Sequence, residues 1–101
     1  MLNKLRNKLI KKISKKTKSD KYIKYASSEA VVRLNMSTRP AYAHCLYHAA
    51  KLTKKLNYKK FSAIEFGVAG GNGLYFLDQF ARQLSKEFNI EIEVYGFDLV
   101  S

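Results

Sequence analysis

Phe61-Ser62-Ala63-Ile64-Glu65-Phe66-Gly67-Val68-Ala69-Gly70-Gly71-Asn72-Gly73 is the stretch that decides the fold. Its first half, 61–66, is a short apolar run of strand character, and it ends directly in four glycines within residues 67–73. After the glycines, Leu74, Leu77, Phe80, Ala81, Leu84 and Phe88 repeat at helical spacing, with Asp78, Arg82, Lys86 and Glu87 on the other side. Asn89 is a stop signal, and Ile90–Phe97 reads as a second strand ending in Asp98. Strand, glycine loop, helix and strand within residues 61–98 make a βαβ unit, so the two strands are expected to be parallel.

Upstream of this unit the period is helical. Tyr42, Cys45, Leu46, Ala49, Leu52 and Leu56 recur on one face of a predicted helix, with Thr38 as its N-cap, Pro40 in its first turn and Lys51, Lys54 and Lys55 near its C-terminal end. A shorter helix is expected over 28–35, capped by Ser27 or Ser28. Residues 14–25 are polar and read as a loop. Residues 2–16 form an amphipathic helix pattern, with Leu2, Leu5, Leu9, Ile10 and Ile13 opposed by lysines. The organisation expected is a basic extension over 1–25, a helical lead-in over 26–60 and the first βαβ unit over 61–101.

Glycines at a strand-to-helix junction let the backbone turn sharply and let a ligand approach its N–H groups. In open α/β sheets, ligands bind beyond the carboxyl ends of the strands. Two carboxylates are expected there, Glu65 at the end of the first strand and Asp98 at the end of the second. A carboxylate at the second position suits the two hydroxyls of a ribose. The dinucleotide fingerprint needs a glycine or alanine three residues after Gly-x-Gly; Gly71-Asn72-Gly73 is followed by Phe76, and the register starting at Gly67 meets Ala69 and then Asn72. Glu65 would also repel a pyrophosphate, and no Gly-Lys-Ser/Thr of a phosphate loop occurs. S-adenosylmethionine carries an ammonium and a sulfonium and no phosphate, so an acidic mouth favours it over NAD.

Glu65-Phe-Gly67-Val-Ala-Gly70-Gly71-Asn-Gly73 followed by Val94-Tyr-Gly-Phe-Asp98 resembles the first two motifs of class I S-adenosylmethionine-dependent methyltransferases. The wording around Glu65 and the Arg39-Pro-Ala-Tyr42 helix resemble a largely uncharacterised bacterial branch, distantly similar to the macrocin-type O-methyltransferases. The resemblance covers roughly residues 38–101. It implies an α/β fold, the start of a Rossmann-like methyltransferase domain preceded by basic N-terminal helices, with two strands of a seven-strand sheet. It implies that Glu65 helps hold the methionine end of the cofactor, and that Gly67, Ala69, Gly70, Gly71, Asn72 and Gly73 form the loop beneath it. Asp98 would bind the ribose. The Gly70-Gly71 pair leaves open which glycine approaches the cofactor most closely. The catalytic base, the methyl acceptor (a small molecule or saccharide) and the remaining strands would then lie after Ser101. These residues would be a cofactor-binding fragment, inactive alone.

The formal charge of +11 is unevenly placed. Residues 1–24 hold ten Lys/Arg against Asp20, a net of +9, and residues 25–60 hold seven against Glu29, a net of +6. Residues 61–101 hold two against six acids, a net of −4. The high pI therefore belongs to the front of the chain and not to the glycine motif. A second reading follows from that front half: a non-enzymatic basic module that contacts an anionic membrane surface through residues 1–25, or, with less support, nucleic acid. Lysine with little arginine gives charge attraction and little base readout. A single cysteine, Cys45, and the absence of any apolar run near ~18 residues point to a cytoplasmic chain. His44 and His48 are spaced i, i+4, but a zinc site needs a third convergent ligand, so no metal is expected.

Overall fold

The change of period at Phe61 is where the chain passes from helices into sheet. The computed structural model describes residues 20–67 and 71–98. A 3-10 helix, Asp20–Tyr25, leads into α1 (Ser28–Arg33), α2 (Pro40–Lys55), β1 (Lys60–Phe66), α3 (Asn72–Phe88) and β2 (Glu91–Phe97). The molecule is a small α/β domain in which β1 and β2 pair in parallel. The register runs from Lys60 opposite Glu91 to Phe66 opposite Phe97. The amphipathic helix expected over 2–16 lies outside the described residues.

The βαβ reading holds at both strands and at the helix between them. Asn89 ends α3 in the left-handed region at φ 53°, a conformation Asn tolerates better than most residues. On the inner face of α3, Phe76, Phe80 and Leu84 are almost wholly buried, and the Phe76 and Phe80 rings stack at 5.5 Å. Phe61 and Ala63 of β1 and Ile92 and Val94 of β2 pack against this core from the sheet.

The start and the facing of α2 differ from expectation. Its N-cap is Arg39, which makes no side-chain capping bond, with Pro40 at the first helical position. Thr38 instead donates its backbone N–H and its hydroxyl to the Asp20 carboxylate, at 2.8 and 2.7 Å. The buried stripe is Ala43, Leu46, Tyr47, Ala50 and Thr53, while Cys45, Leu52 and Leu56 face outward. Two apolar stripes coexist on this helix, and the one with small residues won. Ala43 and Ala50 give no bulk at the contact with the rest of the core, while Tyr47 fills it edge-on to Phe88 at 6.0 Å. The buried Thr53 hydroxyl is satisfied by donating to the Ala49 carbonyl at 2.7 Å.

The end of the segment read as a loop, 14–25, is also structured. Within Asp20–Tyr25, Ile23 is 4% exposed and belongs to the same core as Phe80 and Leu84. Ser27 caps α1 by accepting from the Ala30 N–H at 3.1 Å. Glu87 of α3 adds a second, tertiary cap, accepting from the Ser28 N–H at 3.0 Å and from the Ser28 hydroxyl.

The helices cover one face of the sheet. On the other, Ile64, Phe66, Tyr95 and Phe97 stand exposed, and the Phe66 and Phe97 rings stack at 5.8 Å. Lys60 and Glu93 form an ion pair on that open face at 2.5 Å. Among the described residues, the β1 edge away from β2 is unpaired. A groove of about 640 Å³ runs between that side of β1 and α2, bordered by Tyr42, Cys45, Ala49, Ile64 and Glu65. No helix of the described residues is long and apolar enough to cross a membrane.

Candidate functional site at the carboxyl end of the strands

Alternation along β1 sends Phe61, Ala63 and Glu65 toward the helices and Ser62, Ile64 and Phe66 away from them. Glu65 is therefore a half-buried carboxylate on the last inward position before the glycine loop. Its Oε1 accepts a hydrogen bond from the Tyr42 hydroxyl at 2.8 Å, across 23 residues of sequence. Its Oε2 is buried and has no hydrogen-bond partner among the described residues.

Three of the predicted loop glycines have distinct roles. Gly67 and Gly71 lie at φ 77° and 74°, the left-handed region that residues with a Cβ enter at a cost. Gly71 is the N-cap of α3, and no side chain caps that helix. Gly73, in the first turn of α3, sits against Glu65: a Cβ there would lie 2.5 Å from Glu65 Oε1. The missing side chain of Gly73 thus makes the room that the carboxylate occupies. The positive end of the α3 dipole favours an anion at that place. Asn72 is exposed at the first position of α3. The predicted site residues Ala69 and Gly70 lie outside the described residues.

One hydrogen bond joins the two motifs. The Gly67 N–H donates to the Phe97 carbonyl at 2.8 Å, continuing the ladder one residue beyond β1. The first loop glycine is therefore tied to the residue just before Asp98. Asp98 itself is exposed, two residues beyond Gly96, the register partner of Glu65. Both carboxylates thus lie at the same end of two paired strands, Asp98 two residues past the register of Glu65.

Tyr42 was missed as a site residue. The sequence pattern assigned it to the buried stripe of its helix, where its ring is half-buried. The only signal was chemical: a tyrosine in a partly apolar position brings a hydroxyl that needs a partner. The hydrogen bond to Glu65 pushes the Tyr42 phenol above the ordinary tyrosine range, with loss of hydration and the carboxylate charge adding to it; the Arg39 guanidinium opposes. Arg39 lies over the Tyr42 ring at 5.6 Å.

His44 and His48 contact each other, ring centroids 4.3 Å apart, on the exposed side of α2. No cluster of three or more His, Cys, Asp or Glu suited to a metal ion occurs among the described residues. No family model, no curated protein and no solved structure matches the chain.

Proposed function

We propose that this chain provides the cofactor-binding part of an S-adenosylmethionine-dependent methyltransferase, acting on an acceptor that these residues do not specify. The observation that supports the reading is the Gly67 to Phe97 hydrogen bond, which ties the first loop glycine to the residue before Asp98, at the same strand end as Glu65. A ligand with a cationic end and a ribose suits that pair of carboxylates. A pyrophosphate would meet a negative charge where it needs donors.

The residues present suit this cofactor on two further grounds. The buried Glu65 Oε2 is an acceptor without a partner among the described residues, as an ammonium-binding group would be before its ligand arrives. Asp98 is exposed directly after β2, where its two carboxylate oxygens would accept from the hydroxyls of a ribose. When bound, the cofactor supplies an electrophilic methyl group on a sulfonium. Glu65 and Asp98 then bind and orient the two ends of the molecule. On this reading the domain is Rossmann-like, and further strands of it would pair with the edge of β1 left unpaired among the described residues. The exposed Ile64, Phe66, Tyr95 and Phe97 support that view, because parallel sheets are covered on both faces.

The test is thermal denaturation and calorimetry of the full chain with S-adenosylmethionine, S-adenosylhomocysteine and NAD. The two methyl-donor ligands should raise the melting temperature, NAD should not, and Asp98→Asn should abolish the shift. Stabilisation by NAD alone, or no binding of either sulfur ligand, would sink the proposal.

A further inference from the structure

We infer that Tyr42 is the positioning residue for the cation-binding carboxylate, dividing the two oxygens of Glu65 between a structural and a ligand role. This rests on the methyl-donor reading and extends it to a residue on a different element. The Tyr42 hydroxyl donates to Oε1 at 2.8 Å, and Gly73 leaves the space in which that oxygen sits. Oε1 is thereby committed to the protein. Oε2 is buried and unpartnered among the described residues, so it is the oxygen with acceptor capacity to spare.

A carboxylate on a flexible side chain at a strand end would otherwise sample several rotamers, including ones turned out to water. Clamping one oxygen removes that freedom before the ligand binds, and pre-organisation of this kind shows as affinity. Charge contributes in the same direction. Arg39 is the cation nearest the Tyr42 ring, at 5.6 Å from its centroid, and it makes no ion pair with Glu65 among the described residues. The negative charge of Glu65 is therefore balanced by a neutral hydrogen-bond donor and a helix N-terminus, neither of which cancels it. A primary ammonium supplies both the charge and the donor that Oε2 lacks. The ligand class this arrangement selects is an amino-acid-bearing nucleoside, as opposed to a nucleoside without the amino-acid end.

The experiment compares two probes on the full chain by titration calorimetry. S-adenosylhomocysteine carries the ammonium; 5′-methylthioadenosine keeps the adenosine and the thioether and lacks the amino-acid end. Tyr42→Phe should weaken the first by about tenfold, the loss expected for one hydrogen bond, and leave the second unchanged. Glu65→Gln retains an acceptor for Tyr42 and removes the charge, and it should show the same selective loss. Should Tyr42→Phe fail to fold, Gly73→Ala, whose Cβ displaces Oε1 from the Tyr42 hydroxyl while both residues stay, should show the same selective loss, and its absence overturns the role of Tyr42. Equal weakening of both probes, or no weakening of the first, overturns the role of Tyr42 while leaving the cofactor reading intact. Failure of the unaltered chain to bind either probe overturns the cofactor reading and this inference with it.

Discussion

At the scale of single residues, the site depends on which atoms are absent as much as on which are present. Gly73 is the clearest case. Alanine is the better helix former by about 1 kcal/mol, so Gly73→Ala gains in propensity within α3. Its Cβ, however, falls 2.5 Å from Glu65 Oε1, and the flexible carboxylate must swing away. Gly73→Ala should therefore leave overall stability within about 1 kcal/mol of the parent in urea unfolding, while breaking the bond to Tyr42. The break would appear as tyrosine ionisation at lower pH and as a lost response to S-adenosylhomocysteine. A tyrosine titration identical to that of the parent would count against the contact. Glu65, Gly67, Gly71 and Asp98 were legible as residues because their chemistry is local: a strand end, two left-handed turns, a second strand end. Tyr42 was not, since its partner is 23 positions away and no local pattern encodes that distance.

At the scale of elements, boundaries were easier to read than faces. The limits of β1, α3 and β2 follow from period changes and from Asn89, and the structure keeps them within a residue or two. The facing of α2 could not be settled from sequence, because Tyr42, Cys45, Leu46, Ala49, Leu52 and Leu56 form as good a helical stripe as Ala43, Leu46, Tyr47 and Ala50, and the two share Leu46. Only the shape of the neighbouring elements selects between them. Coupling between elements was equally hidden: Glu87, patterned as a solvent-facing residue of α3, holds the N-terminus of α1. Glu87→Ala should cost about 1–3 kcal/mol in urea unfolding, as for hydrogen bonds to a charged group. Ser27→Ala, which removes the local cap, should cost about 1 kcal/mol. The reverse ranking would mean that α1 is held mainly by its own cap.

At the scale of the whole molecule, the ionisable groups with resolved shifts are distributed unevenly across pH. Tyr42 and Tyr95 are raised, chiefly by hydrogen bonds to Glu65 and Glu93, and Tyr47 is raised by burial. Lys60 is raised by its bond to Glu93. Each of these four prefers its protonated form in the folded state. Their contribution is complete below the unfolded values and is lost as pH rises through the folded ones, from about pH 10 upward. Glu93 alone is lowered, by Lys60 and then Tyr95, so its contribution is present above the usual carboxylate range and is lost as pH falls through its folded value. Denaturation midpoints should hold level through neutral pH and decline more on the alkaline side than these groups cause on the acid side. Tyr42→Phe should flatten part of the alkaline decline, and an unchanged alkaline limb would contradict the assigned contact. The α/β class and the parallel pairing were legible from the spacing of the motif. The uncovered sheet face was less so: Ile64, Phe66, Tyr95 and Phe97 alternate as core residues do, and a sequence does not say what lies across from them.

The outward stripe of α2 has a practical consequence. Its Cys45 is the only thiol in the chain, it is exposed, and it borders the groove beside β1 one helical turn from Tyr42. A thiol-directed fluorophore or spin label would therefore attach at a single known point without any mutation. Shielded from reagent, the thiol would signal that something has closed over the groove; freely labelled, it would become an observer stationed next to the carboxylate.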